Sequence, residues 1–111
     1  MATRAQIQEL VDKLVAGYQP EKVILFGSHA YGTPREDSDV DLFVIKDDPR
    51  PRWERQVEAR MSMGFNGFAL DVLVYTPHEF SMANPKFNPL VRDVKGKGVM
   101  LYNRNHTQEY A

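Results

Sequence analysis

The stretch that decides the fold is LFGSHAYGTPREDSDVDLFVI, residues Leu25–Ile45. One apolar run ends at Gly27-Ser28, and the next run opens with two acids two residues apart, Asp39 and Asp41. Short apolar runs bounded by glycine, proline and polar residues are typical of buried strands. A small-residue turn and a pair of carboxylates therefore flank the same short loop between two predicted strands.

Working outward from this loop, the same pattern predicts four strands in all. They cover residues 22–27, Val40–Ile45, Phe68–Tyr75 and 98–102. The first two strands are separated by about a dozen residues, which is marginal for the crossover that a parallel pair needs. We therefore expect the first two strands to run antiparallel within a mixed sheet.

Helical segments are predicted before and between these strands. The N-terminal helix has a buried stripe at helical spacing, a capping box from Thr3 and Gln6, and a stop at Gly17. The stripe consists of Ile7, Leu10, Val11, Leu14 and Val15. A second helix over residues 50–63 has apolar residues four apart at Trp53, Val57 and Met61, and a third, short helix begins near Pro89. The sequence thus predicts an α/β (α+β) fold, with a small, mixed, partly antiparallel sheet flanked by helices.

Composition limits the domain organisation and the class of protein. The 111 residues, 42% hydrophobic and 26% charged, suit one globular domain, which we place at residues 1–103 with a polar tail at 104–111. A net charge of -1 argues against direct binding of bulk nucleic acid. The longest apolar runs are far shorter than the ~20 residues that cross a bilayer, and the N-terminus lacks the apolar core of a secretory signal. We expect a cytoplasmic protein with no membrane association.

Two familiar motifs come close to the opening stretch and both fail. GSHAYGTP has the glycine spacing of a phosphate loop, but Thr33 and Pro34 stand where that loop needs lysine and a hydroxyl residue. DSDVDL begins like a calcium loop, but Leu42 occupies the position that needs glycine and Asp48 the position that needs glutamate. Neither a phosphate loop nor a calcium hand is present.

A metal and phosphate site fits the opening stretch better. Residues two apart in a strand share a side, so the carboxylates of Asp39 and Asp41 crowd together and repel unless a cation bridges them. Hard carboxylate oxygens suit Mg²⁺ with substrate phosphates. Gly27 permits close backbone approach, and Ser28 is expected to cap a short helix whose amides attract phosphate. Asp71 interrupts the third strand and is the best third carboxylate for a two-metal site.

These features together resemble the DNA polymerase beta superfamily of nucleotidyltransferases. The Gly-Ser pair, ten residues, Asp-x-Asp and a later lone acid in a strand carry the resemblance. The short length and the form GSHAYG…SDVDLFV are most similar to its minimal nucleotidyltransferase (MNT) branch. The resemblance implies the nucleotidyltransferase fold, with Asp39, Asp41 and Asp71 as catalytic and metal-binding residues for two Mg²⁺ ions. It also implies that Gly27 and Ser28 bind the phosphates of ATP.

The resemblance also implies a biological role. Many MNT proteins are antitoxins paired with a helical HEPN-family toxin, and they can transfer AMP from ATP to a toxin tyrosine. Two other readings stay open. One is an MNT module of weak or absent activity that neutralises its partner by binding, and the other is a small-molecule adenylyltransferase. The first alternative is motivated by His29 and Tyr31, which replace arginines often present in this branch.

The remaining charged and apolar residues have more ordinary interpretations. His29 and Tyr31 are expected to be scaffold or wall residues of the site. Arg35 or Lys46 is a candidate to supply the missing positive charge. The second helix carries a mixture of arginines and glutamates typical of a solvated face, at Arg50, Arg52, Glu54, Arg55, Glu58 and Arg60. A methionine and phenylalanine cluster is expected in the core, with a partner interface as the second choice; it comprises Met61, Met63, Phe65 and Phe68.

Overall fold

The computed structural model describes residues 2–34, 39–64, 67 and 69–105. Four strands form, namely β1 (Lys22–Phe26), β2 (Val40–Ile45), β3 (Leu70–Tyr75) and β4 (Val99–Asn103). The helices are α1 (Arg4–Tyr18), α2 (Ser28–Tyr31), α3 (Arg52–Met63), α4 (Pro77–Met82) and α5 (Pro89–Lys97). The predicted order of elements is confirmed, with α4 as one addition. Pro77 ends β3 as expected, but it also begins α4, which Thr76 and Glu79 open with a capping box.

The four strands form one mixed sheet in the order β3-β2-β1-β4. β1 pairs antiparallel with both β2 and β4, whereas β2 and β3 run parallel from Val40↔Leu70 to Ile45↔Tyr75. The predicted antiparallel first pair and the mixed α/β sheet are therefore confirmed. The parallel pairing puts the N-terminal ends of β2 and β3 at the same end of the sheet. The antiparallel pairing of β1 with β2 puts the C-terminal end of β1 there as well.

Each face of the sheet has its own apolar cluster. Alternate strand residues such as Val23, Leu42 and Val72 pack against α1 and α3 on one face. Their neighbours, including Phe43 and Ile45, pack against α4 and α5 on the other face. The central strands β1 and β2 are buried on both faces, which explains why they read as continuous apolar runs.

Helix α1 begins as predicted and ends differently. The Gln6 N–H donates to Thr3 Oγ1 at 3.1 Å, and the Thr3 N–H donates to Gln6 Oε1 at 2.8 Å, which completes the capping box. The predicted stop at Gly17 is wrong, because the helix continues to Tyr18 and ends at Gln19 in the left-handed region, with φ 56°. Gly17 instead faces Ser62 of α3, where the absence of a side chain lets the two helices approach closely.

Helix α3 packs on a different face from the one its apolar spacing suggests. Arg55, Ala59 and Met63 are its buried residues. Trp53, Val57 and Met61 point outward and are 66%, 46% and 72% exposed. The predicted core packing is therefore correct for Met63 and wrong for Met61, while Phe65 and Phe68 lie outside the described residues.

The prediction that Arg55 lies on a solvated face is also wrong. Its guanidinium is buried and donates to Glu79 at 2.7 Å, to the Arg50 carbonyl at 2.7 Å and to the Val74 carbonyl at 3.4 Å. A buried charge is tolerated only when it is paired and hydrogen-bonded, and these contacts supply both conditions. Arg55 thus joins α3, β3 and the start of α4.

At the end of the chain, Arg104 contacts the main body. Its N–H donates to the Glu21 carbonyl at 2.9 Å, and its side chain forms an ion pair with Glu21 at 3.4 Å. The boundary between domain and tail stays a prediction, since residues 106–111 lie outside the described residues. Across the described ranges, every helix is too short or too polar to cross a bilayer.

The contact between α1 and α3 predicts opposite effects for two glycine-to-alanine changes. In Gly17→Ala the new Cβ would lie 2.7 Å from Ser62 Cβ, so we expect a loss of about 1–2 kcal/mol in the free energy of unfolding. A Cβ added to Gly96 of α5 would meet open space. Gly96→Ala should therefore raise the free energy of unfolding by roughly 0.5–1 kcal/mol through its higher helix propensity. Urea unfolding of the two variants measures the difference; equal stabilities would contradict the close packing of α1 on α3.

Candidate active site

The turn after β1 is built around a glycine that no other residue can replace without strain. Gly27 has φ 76° and ψ −159°, and a Cβ at this position would collide with the carboxylate of Asp41. The Gly27 carbonyl accepts the N–H groups of Ala30 and Tyr31, which starts α2. Gly27 therefore lets the backbone of the turn pass directly beside an acid of the next strand.

Ser28 lies at this turn, but the prediction that it caps α2 is wrong. Gly27 occupies the N-cap position, and no side chain makes a capping hydrogen bond there. Ser28 is instead the first residue of the helix, and its carbonyl accepts the N–H of Gly32. The Ser28 hydroxyl thus has no role in capping the helix, and phosphate binding by it stays a prediction.

The sheet places two of the predicted acids abreast. Asp41 pairs with Phe26 of β1 on one side and with Asp71 of β3 on the other. Residues paired in a parallel ladder project to the same face, so both carboxylates lie on one face of the sheet. They also lie at the same end of it, because each is the second residue of its strand. Asp39 immediately precedes β2 and is exposed. The expectation that Asp71 lies beside the Asp-x-Asp pair is met by the β2–β3 register.

The proximity of the three acids changes the protonation of the central one. Burial raises the pKa of Asp41 to about 6, with further contributions from the charges of Asp71 and Asp39. His29 opposes this shift. Asp41 therefore experiences repulsion from the other two predicted site acids, which is the condition that a bound cation relieves.

Asp71 has a cationic neighbour that the sequence did not reveal. Arg60 of α3 donates from Nη1 to the Leu70 carbonyl at 2.8 Å and forms an ion pair from Nη2 to Asp71 Oδ1 at 3.7 Å. Both side chains of the pair are about half exposed. Arg60 looked like one more residue of a charged helix, because its partner lies on a separate strand.

His29 braces the loop that carries Asp39. Its Nδ1 lies 3.0 Å from the Asp39 carbonyl oxygen, and because a carbonyl only accepts, Nδ1 carries the hydrogen in this contact. Within the described residues, its Nε2 is buried and has no hydrogen-bond partner. The interpretation of His29 as a wall of the site agrees with this geometry.

The candidates for an additional cation differ in where they lie. Lys46 donates to the carbonyls of Tyr18 and Gln19 at the opposite end of β2, so it is not near the acids. Arg35 lies outside the described residues. Lys97 Nζ lies 5.4 Å from the ring centre of Tyr31 on α2. In the described structure, Arg60 therefore lies beside Asp71, and Lys97 lies beside Tyr31.

The three predicted site acids have the right chemistry for Mg²⁺, but their side chains are not arranged as a metal site. In residues 2–34, 39–64, 67 and 69–105, no three acidic or histidine side chains are grouped closely enough to hold a metal ion as they stand. The carboxylates of Asp39, Asp41 and Asp71 are nevertheless ligands of the kind that Mg²⁺ prefers. Burial is the main cause of the raised pKa of Asp41, and the charges of Asp71 and Asp39 add to it.

The mixed sheet with helices on both faces, and the paired acids beside a glycine turn, agree with the nucleotidyltransferase fold that the sequence predicts. The family model described as Polymerase beta, Nucleotidyltransferase matches residues 6–107, and the chain belongs to this family. No curated protein matches the sequence.

Solved structures share the fold at low sequence identity. A toxin–antitoxin structure with AMP-PNP aligns with a TM-score of 0.57 and 22% identity, over 93% of this chain and 78% of that one. A protein from Sulfolobus solfataricus, provisionally assigned as a nucleotidyltransferase, aligns with a TM-score of 0.63 and 18% identity, over 91% and 80%. One chain from the structure of a tri-AMPylated Shewanella oneidensis HEPN toxin in complex with MNT antitoxin aligns with a TM-score of 0.51 and 20% identity, over 95% of this chain and 77% of that one.

The electrostatics of the acids predict an unusual titration in the metal-free protein. Carbon-13 NMR should show Asp41 titrating with a pKa of about 6. Asp71→Asn removes the largest charge contribution, so it should lower the pKa of Asp41, although burial keeps that pKa above 3.8. Asp93→Asn on α5 is the control and should leave the titration unchanged. An Asp41 titration near pH 4 in the wild type would contradict the arrangement.

The same shift affects stability in a direction that can be worked out. Because the pKa of Asp41 is raised from 3.8 to about 6, the folded protein holds this proton more tightly than the unfolded chain. The resulting stabilisation is fully present below about pH 4 and is lost as the pH rises to about 6. Asp41→Asn should therefore stabilise the metal-free protein at pH 8, by about 1 kcal/mol after allowing for solvent screening, and not at pH 4. Urea unfolding at both pH values measures this.

The His29 contact can be tested with two amide residues. The Asn side-chain amide matches a donor at Nδ1, whereas the Gln amide matches one at Nε2. We expect His29→Asn to keep the wild-type amide chemical shifts of Val40 and Asp41, and His29→Gln to move both. Equal spectra for the two variants would show that the Nδ1 contact with Asp39 does not hold the loop.

Proposed function

We propose that this protein is an MNT antitoxin that transfers AMP from ATP to a tyrosine hydroxyl of a HEPN-family toxin. The observation that carries the proposal is the register that sets Asp41 beside Asp71, with the Gly27 turn against Asp41. The likeness to the tri-AMPylated toxin complex and to the complex with AMP-PNP supports this reaction and this partner.

In this proposal, Asp39, Asp41 and Asp71 hold Mg²⁺ with the triphosphate of ATP. When bound, the metal neutralises phosphate charge and makes the incoming hydroxyl a better nucleophile. The Gly27 turn offers backbone close to the phosphates, and Ser28 adds a hydroxyl donor. Asp71 lies on the outer strand of the sheet and is half exposed, so the acceptor hydroxyl arrives on its side.

The proposed reaction is an in-line substitution at the α-phosphorus of ATP. The tyrosine oxygen forms a bond to this phosphorus, and the bond from phosphorus to the bridging oxygen of pyrophosphate breaks. The tyrosine proton passes to solvent, and pyrophosphate leaves with the electron pair of the broken bond. Positioning and charge neutralisation by the acids and the turn supply most of the rate enhancement in such a transfer.

A second candidate is neutralisation of the toxin by binding alone. It is favoured by His29 and Tyr31 on the helix next to the turn, because neither residue carries the permanent positive charge of an arginine, which would strengthen a triphosphate site there. Under this candidate, Asp39→Ala still protects cells from the toxin. Loss of protection in Asp39→Ala would favour the enzymatic reading.

Label transfer from [α-³²P]ATP to the purified toxin tests the proposed reaction. Wild-type protein with Mg²⁺ should label the toxin, and Asp41→Asn or Asp71→Asn should reduce the rate at least about 100-fold, because a carboxylate that holds the metal contributes several kcal/mol. EDTA should abolish labelling. Asp93→Asn serves as the matched control and should label at the wild-type rate.

Absence of label with wild-type protein, or equal rates for wild type and Asp41→Asn, would remove the enzymatic proposal. Mass spectrometry of the labelled toxin should locate an added AMP on a tyrosine. A label that stays on the antitoxin itself would point to a different acceptor.

A further inference from the structure

Helix α3 carries a row of apolar side chains on its outer surface. Trp53, Val57 and Met61 are four residues apart, so they lie on one side of the helix, and they are 66%, 46% and 72% exposed. We call these three residues the α3 stripe. The buried residues of the helix, Arg55 and Ala59 among them, occupy the opposite side. The stripe thus faces away from the core of its own domain, over about 12 Å of helix.

Exposed apolar residues are common singly, but an aligned set that includes tryptophan is typical of an interface. Tryptophan and methionine are enriched at protein interfaces, and tryptophan is prominent among the residues that dominate binding energy. Trp53 is the single tryptophan of the chain. Its exposure on a helix that has an independent buried face is typical of a binding surface.

The direction of α3 leads the stripe to the candidate active site. At the start of the helix, Arg52 stacks 4.1 Å from the ring centre of Tyr75, the last residue of β3. Near its end, Arg60 contacts Leu70 and Asp71, at the beginning of β3. The helix therefore runs antiparallel to β3, and Met61 lies at the end of the stripe nearest Asp71. A protein bound along the stripe therefore reaches the end of the sheet that carries the predicted site acids, next to the β3 edge where Arg60 contacts Asp71.

One flank of the stripe is acidic. Glu54 and Glu58 lie on this flank, and in the described residues Glu54 has no ion-pair partner. Glu58 is half exposed and has a 3.3 Å contact with Arg50. Basic side chains on a partner would complement this flank. A second copy of the chain packed antiparallel would instead bring the two acidic flanks together, which disfavours self-association through this surface.

We propose that the α3 stripe binds a helix of the acceptor protein, one with an apolar face and basic residues beside it, and so delivers the acceptor hydroxyl to Asp71. This inference rests on the proposed function, because it takes the modified protein as the occupant. The stripe supplies the apolar anchor, Glu54 and Glu58 set the partner's orientation, and Met61 lies at the end of α3 where Arg60 contacts Asp71.

Binding to the purified HEPN-family toxin of the proposed reaction tests the docking surface. Trp53→Ala should weaken the Kd about 30-fold or more, as expected for a central tryptophan, and Met61→Ala should weaken it about 5–10-fold. Met82→Ala and Phe87→Ala are matched controls, since these residues are 70% and 79% exposed outside the stripe. Both controls should bind like the wild type. Circular dichroism checks that each variant is folded.

The single tryptophan allows a second measurement without any substitution. Protein made with 5-fluorotryptophan gives one ¹⁹F resonance, from Trp53. Addition of the unlabelled partner should shift this resonance and shield Trp53 from a soluble paramagnetic agent. Glu54→Lys should weaken binding about threefold, with a smaller dependence on salt than the wild type.

The possible results separate the docking surface from the reaction. Wild-type binding that Trp53→Ala weakens, without label transfer, supports the stripe and removes the proposed reaction. Wild-type binding that is unchanged in Trp53→Ala and leaves the ¹⁹F resonance unmoved overturns the stripe, whatever happens to label transfer. A concentration-dependent dimer that Trp53→Ala disrupts would identify a second copy as the occupant and also overturn it. No binding by the wild type overturns both proposals.

Discussion

The candidate active site depends on the parallel pairing of β2 with β3, because this register sets Asp41 and Asp71 side by side. A slip of β2 by one residue would exchange the side chains that pack in the two apolar clusters, so the packing of both faces holds the register. The sheet therefore holds two acids together against their mutual repulsion. Burial, and then the charges of Asp71 and Asp39, raise the pKa of Asp41, and the proposed metal would relieve the repulsion between these acids.

Arginines of α3 cover the outer edge of the sheet, at the strand that carries Asp71. β3 is an outer strand, and its carbonyls would otherwise face solvent or another chain. Arg60 donates to Leu70, and the buried Arg55 donates to Val74 and is neutralised by Glu79. Two arginines on one helix thus cover two edge carbonyls, and the contact of Arg60 with Asp71 follows from the same packing.

Local signals predicted most of the fold, and long-range contacts account for the errors. The strands and the Thr3 capping box are encoded within short segments. The short loop between the first two strands favoured their antiparallel pairing, because a parallel pair needs a longer crossover. The face of α3 was predicted wrongly because Arg55 is buried by a partner 24 residues away, which no local pattern reveals. The alignment of Asp71 with the Asp-x-Asp pair was predicted from its unusual place in an apolar strand, whereas Arg60 carried no such mark.

The two flanks of α3 differ in charge, and the difference constrains how a partner can lie there. By the helical period, Arg60 lies on the flank of the α3 stripe opposite Glu54 and Glu58. A partner helix with basic residues is attracted to the acidic flank and repelled by Arg60, so its basic side lies over the glutamates. Its other side then faces Arg60 and, through it, Asp71. The proposed acceptor hydroxyl must therefore come from the non-basic side of that helix or from the segment that follows it.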